Sequence, residues 1–369
     1  MHAPFPFGFP FHTAVYLTLL VATWVLHVAF MHYVLGGAVY LAVRTVSQGR
    51  RADGCTPATL LREWLPFVLS AAITAGIAPL LFAQVVYQQR FYTANLLLFY
   101  RWLAILPALL VAFYLLYLLK AQAPVLQRLA FRITAKLAVC GCFLYVAWLW
   151  TTNHLLSVQN LETWTRQYAA GTVMYHTGEA LPRLGLWLAS ALPTLAVWLA
   201  WQLWFNSDSG PDMVADVHRD AARADVRHVA SVALGGLALM CVFAGIYVQL
   251  LPAEVRRVLT GPLAGTYLTA ACCGMAVQFF VWIALCRRPE LDRTKLATLT
   301  AGLATTLIGL GVLRETIRLA RLEIADLFPA HQAAAAVSGR WLFVAVLIVN
   351  SSLIVWCLRI ARRAGRADS

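Results

Sequence analysis

Nine stretches of mostly apolar residues, each about 20 residues or longer, constrain this chain more than any other feature of its sequence. A helix of that length spans the roughly 30 Å hydrocarbon core of a bilayer. The composition agrees, since 61% of the 369 residues are hydrophobic and only 12% are charged. We therefore predict an all-α, polytopic membrane helix bundle that forms one domain over residues 1–369. Its nine spans are predicted near 13–43, 65–87, 97–119, 133–152, 184–205, 229–250, 262–286, 296–313 and 341–358.

The Lys and Arg residues are distributed unevenly among the connections between the spans. Nineteen of the 29 Lys and Arg residues fall in alternate connections or in the C-terminal tail, which the positive-inside rule places in the cytoplasm. The N-terminus is then outside, as an odd number of spans requires. A net charge of +13 would suggest nucleic acid in a soluble protein, but here it reports topology, and we expect no nucleic-acid partner. The expected location is a bacterial-type inner (cytoplasmic) membrane.

The connections leave no room for a soluble domain, so the chemistry is expected in the membrane or at its rims. The connection over 153–183 is predicted to face outside and mixes aromatic with polar side chains, including Asn153, His154, Glu179 and Arg183. Trp and Tyr rings settle at the level of lipid headgroups. We expect this connection to lie at the membrane interface and to offer a docking surface to an external partner.

Two histidines interrupt the first apolar stretch, and an ionisable residue inside a span is a pointer to function. His27 has an imidazole suited to axial ligation of heme iron. His32 is five residues further on, about 140° around the helix, so one iron on one face of the helix cannot bind both. If His27 binds heme, His32 is expected to face a neighbouring helix or a partner.

Short motifs follow one another along residues 13–320. They are His27 with Leu35-Gly36, a glycine-rich stretch around Gly76, Trp148 with Asn153, Cys273-Gly274-Met275, and Leu313-Arg314-Glu315 with Arg318. In this order they resemble subunit I of the cytochrome bd-type quinol oxidases, and this chain is similar to a divergent member of that family. The number of spans and the outside N-terminus agree with the resemblance.

The resemblance implies that the chain binds one or more b-type hemes near its outer side. His27, Met275 and Glu315 stand where the family places ligands of heme iron, and Arg318 or Arg321 would neutralise heme propionates. Each ligand also has a plain structural explanation. The imidazole of His27 could be hydrogen-bonded between helices, Met275 could fill a gap in the core, and Glu315 could pair with Arg318 one turn away.

Three departures from the family limit what the resemblance implies. The family's second low-spin heme ligand is a histidine near positions 182–186, where this chain has none, and His176 and His154 are the two candidates to replace it. The third span lacks the family's two proton-delivering glutamates and carries Arg101 instead. The family's quinol-binding loop is reduced to Pro252–Gly261. We therefore expect the family's routes of proton uptake and quinol oxidation to be lost.

The residues and the resemblance together predict a membrane subunit that carries electrons in a respiratory complex, without full quinol oxidase activity. Its expected partners are the lipid membrane and other membrane subunits, either a second bd-like subunit or c-type cytochromes, with quinol left open as a donor. Two alternatives stay open. One is a heme-free transporter or structural subunit whose histidines only link helices, and the other is a divergent oxygen-reducing terminal oxidase. The sequence identifies no catalytic residue.

Overall fold

The computed structural model describes residues 3–49, 54–171, 175, 177–207, 215–337 and 339–367, and over these residues it is helical, without a strand. The all-α prediction is confirmed. In chain order the helices are α1 (Phe11–Gln48), α2 (Thr56–Leu98), α3 (Tyr100–Leu103), α4 (Ile105–Lys120), α5 (Leu129–Ser157), α6 (Leu161–Ala170), α7 (Ala180–Ser207), α8 (Ala215–Leu250), α9 (Ala253–Thr260), α10 (Gly265–Arg287), α11 (Arg293–Leu319), α12 (Phe328–Val337) and α13 (Arg340–Ala367).

Eight helical segments in the described part of the chain are long and apolar enough to cross a membrane, which indicates an integral membrane protein. They are Phe11–Gln48, Thr56–Leu98, Tyr100–Lys120, Leu129–Ser157, Ala180–Asn206, Asp220–Leu250, Gly265–Arg287 and Arg293–Leu319. The ninth predicted span lies in α13. Segments Ile324–Val337 and Trp341–Leu353 qualify only together, across a bend of 66°, so the described residues give eight spans, or nine if this bent pair is one.

Helix α2 is longer than the predicted second span, which ended at residue 87. Its 43 residues correspond to about 65 Å of helix, twice the hydrocarbon thickness. The polar run that begins at Gln88 hides the continuation in the sequence, yet Phe91, Ala94 and Leu98 beyond it are buried in apolar clusters. The helix bends at Gln88, whose φ of 40° is not helical.

The bundle is organised around α1, which packs against α2, α5, α7 and α11, while α7 pairs with α8 and α10 pairs with α11. Small residues bring α10 and α11 together. A Cβ atom on Gly274 would lie 2.6 Å from the carbonyl oxygen of Gly302, so only glycine permits this approach of the two backbones. Close backbone contact at small residues is the usual way in which helices associate in lipid.

We call the end of the bundle that contains the start of α1 and the end of α2 the outer end, following the predicted orientation, and the opposite end the inner end. At the outer end, α12 is fixed to two spans through His331, which is fully buried. Its Nδ1 lies 3.0 Å from the Thr13 hydroxyl and its Nε2 3.0 Å from the carbonyl oxygen of Val86. Both ring nitrogens of His331 are therefore used in holding α12 against α1 and α2.

Candidate functional site

His27 projects from α1 toward α2, where its Nδ1 lies 3.0 Å from the carbonyl oxygen of Ala72. Because a carbonyl only accepts, Nδ1 must carry the proton, and the neutral ring then keeps its lone pair on Nε2. No hydrogen bond to Nε2 comes from the residues that the structure describes. The backbone of the neighbouring helix therefore sets the tautomer of the His27 ring, and Nε2 of that ring is left without a hydrogen bond from the described residues.

Gly76 makes room for the His27 ring. A Cβ atom at this position would lie 2.9 Å from Cε1 and 3.0 Å from Nδ1 of His27, closer than real Cβ atoms approach other side chains. Gly76 is one helical turn after Ala72, so the acceptor and the space for the ring lie on the same face of α2. The His27 ring on α1 and the Ala72 carbonyl and Gly76 on α2 thus form one site. His27 and Gly76 also belong to the sequence motifs that resemble cytochrome bd subunit I.

His32 differs from His27 in that both of its ring nitrogens have partners. Its Nδ1 lies 3.1 Å from the Thr194 hydroxyl and its Nε2 3.3 Å from the Ser190 hydroxyl, both on α7. The ring is 1% exposed and lies edge-on to Trp187. Of the two surroundings expected for His32, a neighbouring helix or a partner, the structure shows the neighbouring helix, and His32 joins α1 to α7.

Glu315 lies in the last turns of α11 with only 1% of its surface exposed. Its carboxylate accepts hydrogen bonds from the Tyr87 hydroxyl of α2 and from the guanidinium of Arg314, its neighbour in sequence. Buried carboxylates are stable as anions only when they are paired in this way. Glu315 is thus the negative centre of a polar layer inside the outer end of the bundle.

The alternative explanation, in which Glu315 pairs with Arg318 one turn away, is wrong in its partner, because the ion pair is made with Arg314. Arg318 is 3% exposed and donates to the hydroxyl of Ser157, 2.8 Å away on α5. Its guanidinium carbon also lies 3.3 Å from the centre of the Tyr87 ring, a cation–π contact. These contacts draw Arg318 toward α5 and α2, so Arg314 takes the place beside the carboxylate.

Glu315, Arg314, Arg318 and Tyr87 belong to a larger group of polar and charged side chains that we call the outer charge cluster. Its members are Tyr87, His154, Glu179, Arg183, Arg314, Glu315, Arg318 and Arg321. Arg321 donates to Glu179 at 2.8 Å, and Arg183 lies over the Tyr247 ring. His154, 4% exposed, is within electrostatic range of all four arginines. Four arginines against two carboxylates give the outer charge cluster an excess of positive charge.

Tyr175 lies in the connection beside the outer charge cluster. Burial and the negative charge of Glu179 raise the pKa of its phenol group.

Several polar atoms of the outer charge cluster are buried without a hydrogen-bond partner among the described residues. They are Nδ1 of His154 and Nε of Arg314, Arg318 and Arg321. A buried donor without an acceptor costs about 1–3 kcal/mol, and such groups in native proteins usually mark a water, an ion or a ligand. Spare donors combined with excess positive charge favour an anionic group at this place.

The His27 site and the outer charge cluster are separate layers of the bundle. Gly76 beside His27 and Tyr87 beside Glu315 are eleven residues apart on α2, or about 16 Å along the helix. One iron therefore cannot bind both His27 and Glu315. Met275 follows Gly274, which packs against Thr306 in α11, nine residues before Glu315 in the chain. The structure thus brings neither His27 nor Met275 to Glu315.

Three ligand candidates remain, namely His176, His154 and Met275. His176 lies outside the described residues, while His154 belongs to the outer charge cluster. Met275 is half-buried and packs against the main apolar core. No group of three or more His, Cys, Asp or Glu side chains that could hold a metal ion occurs within the described ranges. Heme iron needs only one or two protein ligands, so a search for groups of three does not bear on it.

The 153–183 connection was expected at the membrane interface, and its described residues divide into an exposed part and a part buried in the bundle. Helix α6 is exposed, with Leu161 and Tyr168 at 73% and 82%. Asn153, His154 and Arg183 are instead buried inside the bundle, at 2%, 4% and 6%. Neither the entry of Arg183 into the outer charge cluster nor the contact of Tyr87 with Glu315 was predicted from the sequence. An arginine in the first turn of an apolar helix was the available signal.

No family model matches the chain, and no curated protein matches it. The likeness to cytochrome bd subunit I therefore depends only on the motif residues described above.

Proposed function

We propose that this chain is an electron-carrying membrane subunit that binds heme b through His27. The observation that supports the proposal most directly is the fixed tautomer of His27, with Nδ1 bonded to the Ala72 carbonyl and Nε2 uncommitted. Histidines that bind metals commonly donate their other ring N–H to a backbone carbonyl or a carboxylate, which orients the ring and raises the basicity of the ligand. The donor chemistry of His27 therefore fits heme iron.

Comparison with two buried histidines, His32 and His331, supports this assignment, whereas His154, which is also buried and whose Nδ1 has no partner among the described residues, lies in the outer charge cluster. His32 and His331 have both ring nitrogens in hydrogen bonds with neighbouring helices, as structural histidines do in lipid. His27 has one such bond and one uncommitted nitrogen. Bound heme b would supply one-electron redox chemistry, and the surroundings of the iron would tune its potential. The chain's own part is to orient the ligand and to provide an apolar environment.

The outer charge cluster supplies candidates to hold the heme propionates. Arg314 extends toward the His27 layer, because its guanidinium carbon lies 5.3 Å from the centre of the Trp24 ring, one turn before His27 on α1. Its Nε is buried without a partner among the described residues. We therefore add Arg314 to the sequence-based candidates Arg318 and Arg321. A bidentate guanidinium–carboxylate contact would offset the charge of a propionate.

The hypotheses that Glu315 and Met275 bind iron stay as predictions. If Glu315 binds iron, the separation of the layers requires a second heme, distinct from the one proposed at His27. The subunit would pass electrons within a larger assembly of the bacterial-type inner membrane, with a second bd-like subunit or c-type cytochromes as partners. These partners rest on the resemblance of the motifs.

The direct test is the dithionite-reduced minus oxidised spectrum of the purified protein, together with its pyridine haemochrome. We expect a heme b Soret and α-band change with at least one heme per chain. A protein purified with intact fold and without these bands would defeat the proposal.

The competing function is a heme-free transporter or structural subunit, and the fully bonded His32 and His331 favour it for those two residues. A heme-free function requires His27 to be a packing residue as well. Stoichiometric heme would eliminate this function, whereas substrate uptake by heme-free vesicles would support it.

A further inference from the structure

A second polar site lies at the inner end of the bundle, away from both layers described above. It is a pocket of about 260 Å³ between α2, α4, α5 and the turn over Pro124–Gln127. Its lining consists of Arg62, Leu119, Gln122, Leu126, Gln127, Arg132 and Lys136. Three cations and two amides thus face one cavity, and this described lining contains no acidic residue.

The cations are held in place by the fold. Lys136 is 5% exposed and donates to the Thr45 hydroxyl of α1 at 2.9 Å. Arg132 donates through Nε to the carbonyl oxygen of Leu126 at 3.1 Å. The Nε atom of Arg62 is buried with no hydrogen-bond partner among the described residues. The pocket is therefore built from positioned donors, one of which lacks an acceptor.

The cavity has the size of a small anionic group. A water molecule's share of liquid volume is about 30 Å³, so 260 Å³ holds several waters or a phosphate with its first carbon atoms. Guanidinium groups bind phosphate oxygens through paired N–H donors, and an ammonium adds a point charge.

The surroundings place this pocket at the level of lipid headgroups. Trp64 on α2 and Phe131 on α5 are about half exposed beside Arg62 and Arg132 in sequence, and Trp rings gather at the membrane interface. Basic pockets between spans on the cytoplasmic side are typical sites for anionic lipid headgroups. We propose that this inner pocket binds a phosphate group, supplied by an anionic phospholipid.

The test is binding of phosphatidylglycerol to the purified full-length chain, measured by native mass spectrometry against phosphatidylcholine. We expect tighter binding of phosphatidylglycerol to the wild type, and about a fivefold loss in Arg62→Gln, as for removal of one positioned surface cation. Arg132→Gln gives an independent second variant. The matched control is Arg128→Gln, an exposed arginine near the pocket but outside its lining.

A second arm separates the two sources of phosphate. Inorganic phosphate is added to the delipidated protein. If free phosphate is the ligand, it should raise the melting temperature of the wild type but not of Arg62→Gln. This result would support the site but would make free phosphate, rather than a phospholipid, the source of the bound group. Equal binding of both lipids together with no effect of phosphate would overturn the proposal. So would an equal loss of phosphatidylglycerol binding in Arg128→Gln and Arg62→Gln.

Discussion

The phenolic hydroxyl of Tyr87 in α2 donates a hydrogen bond to the carboxylate of Glu315 in α11, and so joins residues 228 positions apart in the chain. Both side chains are buried. The same Tyr87 ring lies under the guanidinium of Arg318. One tyrosine thus contacts the negative centre of the outer charge cluster through its hydroxyl and a cation of that cluster through its ring.

Replacing Tyr87 by Phe should separate these two contacts. The ring under Arg318 remains, while the Glu315 carboxylate loses a donor that water cannot readily replace. We expect the free energy of unfolding to fall by about 1–3 kcal/mol, seen as a lower melting temperature in detergent. Tyr114→Phe on α4 is the matched control, because that side chain is 63% exposed, and it should change little. Equal shifts in the two variants would mean that the buried hydroxyl contributes nothing.

Replacing Glu315 by Gln should reveal whether this carboxylate is only an ion-pair partner. Removing one member of a buried pair costs about 3–5 kcal/mol, so we expect a large loss of stability with the His27 heme spectrum retained. The control is Glu162→Gln, whose pair with Arg166 is about three-quarters exposed and should contribute less than about 1 kcal/mol. Loss of a distinct heme component in Glu315→Gln would instead assign Glu315 as a ligand of a second heme.

Exchanging the charges of Glu315 and Arg318 gives a sharper test of the same layer. A simple surface pair would tolerate the exchange. Here an arginine at position 315 would face Arg314, and a glutamate at 318 would lose the contact of the native guanidinium with Ser157. We expect the double variant to be less stable than Glu315→Gln. A wild-type melting temperature in the double variant would contradict the contacts described for Arg318.

Much of the fold follows from the lengths of the apolar stretches, since each of the first eight predicted spans overlaps one of the eight membrane-length segments, the third of which comprises α3 and α4. The ends of the helices do not follow from these lengths. Phe91 and Leu98 continue α2 past Gln88 because packing, rather than local hydrophobicity, stabilises that last part of the helix. The ninth predicted span lies within α13, but nothing in the sequence indicated the bend of 66° between α12 and α13, nor the contacts by which His331 holds α12 against α1 and α2.

The candidate site was predictable in part as well. His27 and Glu315 stand out in the sequence because ionisable residues within spans are rare. Their partners do not, because Ala72 contributes a backbone carbonyl and Tyr87 lies on another helix far along the chain. Neither contact leaves a periodic pattern. The choice of Arg314 over Arg318 as the partner of Glu315 depends on where Ser157 sits, which only the packing of α5 decides.

The orientation can be tested by fusions to alkaline phosphatase, which is active only outside the cytoplasm. The excess of Lys and Arg in alternate connections predicts an inactive fusion at the C-terminus and an active one after Gly171. An active C-terminal fusion would mean either that the topology is reversed or that there is one span fewer, and an inactive fusion after Gly171 as well would show that it is reversed and place the proposed phosphate pocket on the outer side.

Substitutions of His27 and of His32, both on α1, should have different effects on heme content. His27→Ala removes the proposed ligand, so heme content should fall sharply while the protein still inserts. In His32→Ala the links to Ser190 and Thr194 are lost, and we expect lower stability with heme retained. Pyridine haemochrome assays on both variants provide the measurement. Full heme content in His27→Ala would return this residue to a packing role.

Gly76→Ala tests the geometry of the His27 site without touching the ligand. The new methyl group would lie 2.9 Å from Cε1 of His27, so the ring must move and its bond to the Ala72 carbonyl must weaken. We expect reduced heme content or a shifted Soret band. Gly141→Ala on α5 is the matched control, because a Cβ there meets nothing within 4 Å and the change should be neutral or stabilise the helix by up to about 1 kcal/mol. Since the methyl group acts through His27, combining Gly76→Ala with His27→Ala should cause no further loss of heme than His27→Ala alone. An additional loss would show that Gly76 serves the heme by a route that does not pass through the imidazole.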